Sequence, residues 1–135
     1  MTPPDLAPED RRRRRSSDPL VALHYQLSTA RRAGNLDAIV VADLSGVVVA
    51  GAGSWATCEE LAAYAPLMVH PAPMSDETSS RVDTLRREVE VRTLEICGQE
   101  VLVCARGGST HFGVRDASVA RAIDGVSRIL SAPVL

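Results

Sequence analysis

Apolar positions change their period several times along the chain, and each change marks an element. Leu20, Leu23 and Leu27 recur at i, i+3 and i+7, which predicts a helix over about 19–33. Asp18-Pro19 supplies its start, a capping acid followed by proline at the first helical position. Gly34-Asn35 supplies its stop. A continuous apolar run, Ala38-Ile39-Val40-Val41-Ala42, follows and is rich in β-branched residues. Asp43-Leu44-Ser45-Gly46 then reads as a turn, and Val47-Val48-Val49-Ala50 as a second strand. Both strands of this hairpin are apolar on both faces. A sheet covered on both sides, and hence at least three layers, is expected.

A second helix is expected next. Thr57-x-x-Glu60 fits a capping box with Trp55 just before it. Leu61, Ala65 and Met68 form one stripe, flanked by Tyr64 and Leu67. Pro66 removes a backbone donor and predicts a kink or an early end. Residues 70–80 read as a loop by composition. Residues 81–88, with Val82 and Leu85, fit either a helical turn or a strand. From Glu88 to Ile96 apolar and polar residues alternate, with a slip near Thr93-Leu94 that predicts a bulge. Cys97-Gly98-Gln99 is the turn into a partner strand, 100–106, which puts Val101, Val103 and Ala105 on one face. Gly107-Gly108 closes the hairpin. The last helix is expected from an N-cap at Asp116, with Val119, Ile123, Val126 and Leu130 inward and Arg121, Asp124 and Arg128 outward. Gly125 is expected to allow close packing of this helix on the sheet.

Composition narrows the function classes. The 135 residues fit one domain over 18–135 plus a tail over 1–17. No apolar run approaches the roughly 20 residues of a membrane span. No apolar stretch follows the N-terminal charges, so no secretory leader is expected, and a cytoplasmic location follows. Three widely spaced cysteines argue against a disulfide framework. Aromatics make up 3%, too few for single-strand nucleic-acid stacking platforms. The net charge of -2 gives no overall pull toward phosphate. All 15 basic residues are arginine, which excludes lysine Schiff-base chemistry and a P-loop lysine. The tail holds Pro3, Pro4, Pro8 and the run Arg11 to Arg15. Asp5, Glu9, Asp10 and Asp18 nearly cancel that run, so the tail reads as a disordered, solvated leader, with an electrostatic arm as the alternative.

Few residues carry candidate chemistry. Cys58, Cys97 and Cys104 with His24, His70 and His111 lack the paired spacing of a zinc site, so no metal is expected. Cys58 falls in the first turn of the second helix. It is either a thiolate favoured by the helix dipole or a small buried hydrophobe, and burial is the expectation. Gly51-Ala52-Gly53 fits a tight strand-to-helix turn; a phosphate cradle would need partners that are missing. Trp55, Leu61, Tyr64, Ala65 and Met68 gather large side chains on or beside one helix. They fit either packing on the sheet or a protein interface, where Trp, Tyr and Met are enriched.

The order helix, hairpin, helix, hairpin, helix, together with the phrase from Leu36-Asp37-Ala38-Ile39-Val40-Val41-Ala42-Asp43 to Leu44-Ser45-Gly46-Val47-Val48-Val49-Ala50, resembles the Roadblock/dynein light chain superfamily over about 19–132. The resemblance implies an α+β fold, an antiparallel sheet sandwiched between helices in a Roadblock/profilin-like three-layer α/β/α arrangement. It implies a homodimer without catalytic residues of its own, acting as adaptor or regulator of Ras-like GTPases. Bacterial members of the family often partner a small GTPase encoded nearby. The family sheet has five strands, and an edge strand after the second helix joins the subunits; here that strand would fall within 81–90. The expected function is a non-catalytic dimeric interaction module that regulates or scaffolds a small Ras-like GTPase. It needs no cofactor or metal and has neither nucleic-acid binding nor stable membrane insertion. The interface residues are Trp55, Leu61, Tyr64, Ala65, Met68, Val89 and Val91. The alternative is a small-molecule sensor of related sandwich fold, which would need a polar cluster facing inward.

Overall fold

The computed structural model describes residues 18–107 and 114–131. The expectations for the tail, for Gly108 and for His111 lie outside them. Helix α1 runs Pro19–Gly34. The Asp18 carboxylate caps it, accepting from the backbone N–H of Leu20 at 3.1 Å and of Val21 at 3.4 Å. Asn35 ends it in the left-handed conformation, φ 52°. Leu23, Leu27, Ala30 and Gly34 face inward, whereas Leu20 is 50% exposed. The buried stripe therefore starts at Leu23 and not at Leu20.

Strands β1 (Leu36–Asp43) and β2 (Val48–Ala52) form the first hairpin. Its turn is built on one side chain. The Asp43 carboxylate accepts from Ser45 N–H at 2.9 Å, Ser45 Oγ at 2.6 Å and Val47 N–H at 3.0 Å. Helix α2 runs Trp55–Val69. Its cap is Ser54, whose hydroxyl accepts from Thr57 N–H at 3.2 Å, so Thr57 and Glu60 do not form the expected capping box. Pro66 neither ends nor shortens the helix, which continues to Val69. Proline forfeits only its own bond to Ala62 there, and its carbonyl still accepts from His70 N–H at 2.8 Å.

Helix α3 runs Asp76–Glu88 and overturns two expectations. The stretch 70–80 is not all loop, and 81–88 does not supply a fifth strand. The Ser75-Asp76-Glu77-Thr78 composition that suggests a loop is a helix start. Ser75 caps Thr78 N–H at 3.2 Å, and the two acids lie in the first turn, where the helix dipole favours them. Val82 and Leu85 are its buried residues.

Strands β3 (Val89–Ile96) and β4 (Gln99–Gly107) form the second hairpin. Their register runs unbroken from Val89 opposite Arg106 to Ile96 opposite Gln99, so the slip expected at Thr93-Leu94 is absent. The polar residues there are simply exposed on an edge strand. Irregularities fall instead between Val41 and Ala42, facing β2, and between Leu36 and Ala38, facing β4. The two-residue turn has φ 53° at Cys97 and φ 79° at Gly98, the geometry of a type I′ hairpin. Helix α4 runs Val114–Ser131, starting two residues before Asp116.

The antiparallel sheet has the order β2-β1-β4-β3. Ile39, Val41, Val103 and Ala105 face α1 and α4 and join Leu23, Leu27, Val119 and Val126 in one apolar layer. Val40, Leu102 and Cys104 face the other way and meet Leu61, Ala65 and Leu85 from α2 and α3. These are the three layers that the doubly apolar β1 requires. Gly125 serves the contact between α4 and α1, not the sheet: a Cβ there would meet the Gln26 side chain.

Candidate interaction surface

Helix α2 has three sides. Cys58, Leu61, Ala62 and Ala65 point into the core. Trp55, Glu59 and Ala63, at i, i+4 and i+8, point to solvent, with Trp55 62% exposed. Tyr64 and Met68 lie between and are half-buried against the core layer shared with α3. Of the expected interface residues, Leu61 and Ala65 are fully buried and Val89 is 8% exposed, while Val91 is half-buried on β3. The structure thus packs Tyr64, Met68 and Val91 against the same apolar layer, Val91 from the edge strand β3. Trp55 stands apart, beside the β1–β2 turn.

Around Trp55 the surface is concave. A hollow of about 560 Å³ is lined by Gly46, Val47, Val48, Trp55, Glu59 and Ala63 among others. Val47, at 57% exposed, is part of this apolar surface and was not singled out from sequence. It sits in an unbroken valine run, so nothing local separates it from Val48 and Val49. A second hollow of about 520 Å³ is lined by Ser28, Arg31 and Arg32 of α1 and by Gly51, Ala52 and Gly53. Arg31 is anchored there, its Nε donating to the Asp37 carbonyl at 3.0 Å. Gly51 and Gly53 are explained by crowding. A Cβ at Gly51 would lie 2.9 Å from Cys58 Sγ, and Gly53 has φ 118° with Asp37 O 2.7 Å from its Cβ position.

Glu60 ties the layers together, accepting from Arg81 of α3 at 2.6 Å and lying 3.8 Å from Arg106 of β4. These groups are about a third exposed, so the ties orient the helices more than they stabilise them. His70 Nε2 meets Glu100 Oε1 at 2.8 Å. The two buried thiols are inert by environment. Burial pushes the Cys58 thiol up against an opposing pull from Arg31, and burial pushes Cys104 up to about 12. Cys58 is therefore the small buried hydrophobe. Among the described residues, Ser118 is the buried polar residue, and no three His, Cys, Asp or Glu side chains gather as a metal site. No helix among the described residues is long and apolar enough to cross a membrane.

Helices on both faces of a four-stranded antiparallel sheet fit the Roadblock type of fold. The solved structures it resembles agree. MglB of Myxococcus xanthus superimposes with a TM-score of 0.54 at 14% identity, over 82% of this chain and 88% of that one. The gliding protein MglB of Thermus thermophilus gives 0.53 at 17% identity, over 83% and 90%. A structure of MglB in a tetrameric arrangement gives 0.54 at 14% identity, over 83% and 90%. No family model and no curated protein matches the sequence.

Proposed function

We propose that this chain is a non-catalytic interaction module that self-associates and regulates or scaffolds a small Ras-like GTPase. One observation carries the reading. Large side chains of α2 keep exposed surface: Trp55 is 62% exposed, and Tyr64 and Met68 are only half-buried where they pack, as does Val91 of the edge strand β3, against the α2–α3 layer. Exposed aromatic and methionine surface of this kind is what protein partners bury. The fold likeness to MglB, seen in a tetrameric arrangement in one of those structures, supports self-association. The GTPase is the partner class that the Roadblock resemblance implies.

The test uses the full chain and each small Ras-like GTPase encoded in the same genome, loaded in turn with GDP and with a non-hydrolysable GTP analogue. Isothermal titration is expected to detect binding to one of them with a preference for one nucleotide state. Absence of binding in both states across the whole set overturns the GTPase part. A single-chain mass by light scattering from micromolar to near-millimolar concentration overturns the self-association part.

A further inference from the structure

Helix α1 carries apolar surface that the core does not use. Leu23, Leu27, Ala30 and Gly34 point inward. Val21, Tyr25, Ser28 and Arg32 recur at i, i+4, i+7 and i+11 and form the stripe on the opposite side of the helix. Val21 is 49% exposed, Tyr25 62%, and Leu20, beside Val21, 50%. Three of the six large apolar side chains exposed among the described residues thus sit in the first two turns of one helix. Outward positions of a surface helix are ordinarily polar. A lone exposed apolar residue is normal, but a group of them marks a contact site.

Charge says what that contact is. Helices α1 and α4, which make one layer, carry five arginines and two acids, apart from the capping Asp18. Helices α2 and α3, the other layer, carry three arginines and six acids. The net charge of -2 therefore covers two faces of opposite sign. The apolar group lies on the positive one, between two basic clusters. Downstream are Arg31 and Arg32, in the last turn of α1, which with Ser28 line the hollow of about 520 Å³. The Asp37 carbonyl takes Arg31 Nε, while its carboxylate lies 3.7 Å from Arg106. Among the described residues, neither Arg31 nor Arg32 has an acidic partner. Upstream is the run Arg11 to Arg15. Chain length alone tethers the Cα of Arg15 within about 11 Å of Asp18.

We propose that the outer face of α1 docks on an anionic lipid bilayer. Leu20, Val21 and Tyr25 enter the headgroup region, a depth that suits the apolar ring and polar hydroxyl of Tyr25. Arg31, Arg32 and the tethered run meet lipid phosphates. Apolar side chains between basic clusters combine the two forces of an interfacial contact, burial of apolar area and attraction to anionic lipid. The contact is reversible and spans nothing, since the inner face of α1 stays in the core. A nucleic acid would use the arginines but not the apolar group, and α1 cannot enter a groove while it is packed on the sheet. Docking leaves α2 and Trp55 on the layer that faces away from the bilayer. It depends neither on self-association nor on a GTPase.

Flotation of the full chain with vesicles is the first test. Binding is expected to vesicles of equimolar phosphatidylcholine and phosphatidylglycerol, to weaken as salt is raised, and to be absent with phosphatidylcholine alone. Replacing all of Arg11 to Arg15 by glutamine is expected to weaken it about tenfold or more. Val21→Ser and Tyr25→Glu, at exposed positions, are each expected to weaken it about fivefold or more while melting as the parent does. Arg87→Gln, exposed on α3, is expected to change nothing. Fluorescence is the second test, because Trp55 is the single tryptophan. A chain with Trp55→Phe and Tyr25→Trp is expected to shift its emission to the blue on the anionic vesicles and to be quenched by acyl-brominated lipid, whereas Trp55 of the parent does neither. Absence of binding to the anionic vesicles, or equal binding to the neutral ones, overturns the bilayer contact. Binding that survives both α1 substitutions, or that Arg87→Gln weakens as much, overturns the face. Tighter binding to a DNA duplex than to anionic vesicles at the same salt assigns the arginines to nucleic acid and overturns the lipid.

Discussion

Gly34 and Ser118 mark a close approach of α1 and α4: a Cβ on Gly34 would lie 2.6 Å from Ser118 Oγ and 2.8 Å from its Cβ. Both residues are buried, and the clash with the Ser118 Cβ cannot be relieved by a rotamer change alone. Gly34→Ala is expected to cost roughly 1–3 kcal/mol by overpacking. Adding Ser118→Gly should return part of that loss. Gly125 is the contrasting case, because its added methyl meets Gln26 from Cγ to Nε2, a long, half-buried side chain that can swing aside as a whole. Gly125→Ala should leave stability unchanged or raise it by up to about 1 kcal/mol, since alanine is the better helix former. Urea unfolding of the three variants checks the set, and an equal cost for both alanine substitutions would refute the distinction.

The Asp43 turn predicts an acid sensitivity. The Ser45 hydroxyl first, and then backbone N–H groups led by Val47, hold the Asp43 carboxyl below its ordinary value, against a small opposing effect of burial. A carboxyl depressed in the folded state contributes stability that is complete above its unfolded value of about 3.9 and is lost as pH falls through the folded value. Stability is therefore expected to begin dropping as pH falls below about 4. Asp43→Asn keeps one oxygen acceptor but not the charge. It should lower stability at pH 7 and flatten the acid limb of melting temperature against pH. An unchanged acid limb would remove Asp43 as a contributor.

The hairpin turn offers a stabilising change. Cys97 holds φ 53°, where a side chain other than Asn or Gly is disfavoured, and it precedes Gly98 in a type I′ turn. Cys97→Asn should gain about 0.5–1 kcal/mol. Cys97 is also the exposed thiol, with Cys58 and Cys104 buried. Native protein should react with one equivalent of a thiol reagent quickly, the Cys97→Asn variant with none, and the denatured parent with three. Fast labelling of two thiols in the native chain would contradict the burial of the α2–α3 layer.

The three layers were legible because β1 is apolar at consecutive positions, a pattern that only a sheet covered on both faces accommodates. The hairpins were legible from Gly46 and Gly98. Helix α3 was hidden because it buries only Val82 and Leu85, so its apolar period is one step long. Its Ser-Asp-Glu-Thr start uses the residues that also make loops. The α2 cap was misplaced because Ser54 and Thr57 are both good caps, and only the path out of Gly53 decides between them. Burial within the expected interface set was half legible. Helical period separates Leu61 and Ala65 from Trp55, but sequence could not show that Tyr64 would end half-buried against the α2–α3 layer.

That half-covered position makes Tyr64 and Trp55 a discriminating pair. Trp55 is 62% exposed in the first turn of α2 and contributes little to the core. Trp55→Ala should shift unfolding free energy by no more than about 0.5 kcal/mol. If Trp55 is a partner anchor, its truncation should weaken partner binding by about 2 kcal/mol, the scale of an interface hot spot. Tyr64 packs half-buried on the α2–α3 layer and keeps part of its surface exposed. Tyr64→Ala should therefore cost roughly 1–3 kcal/mol, less than the roughly 3–5 kcal/mol of a fully buried aromatic, because only part of the ring leaves the core. In the folded fraction, self-association should also weaken by about tenfold, or about 1.4 kcal/mol. The measurements are thermal melting, light scattering and partner titration on each variant. A Tyr64→Ala chain that loses stability yet dimerises as the parent does would confine Tyr64 to packing. A Trp55→Ala chain that melts and binds as the parent does would remove the α2 N-terminus from the contact surface.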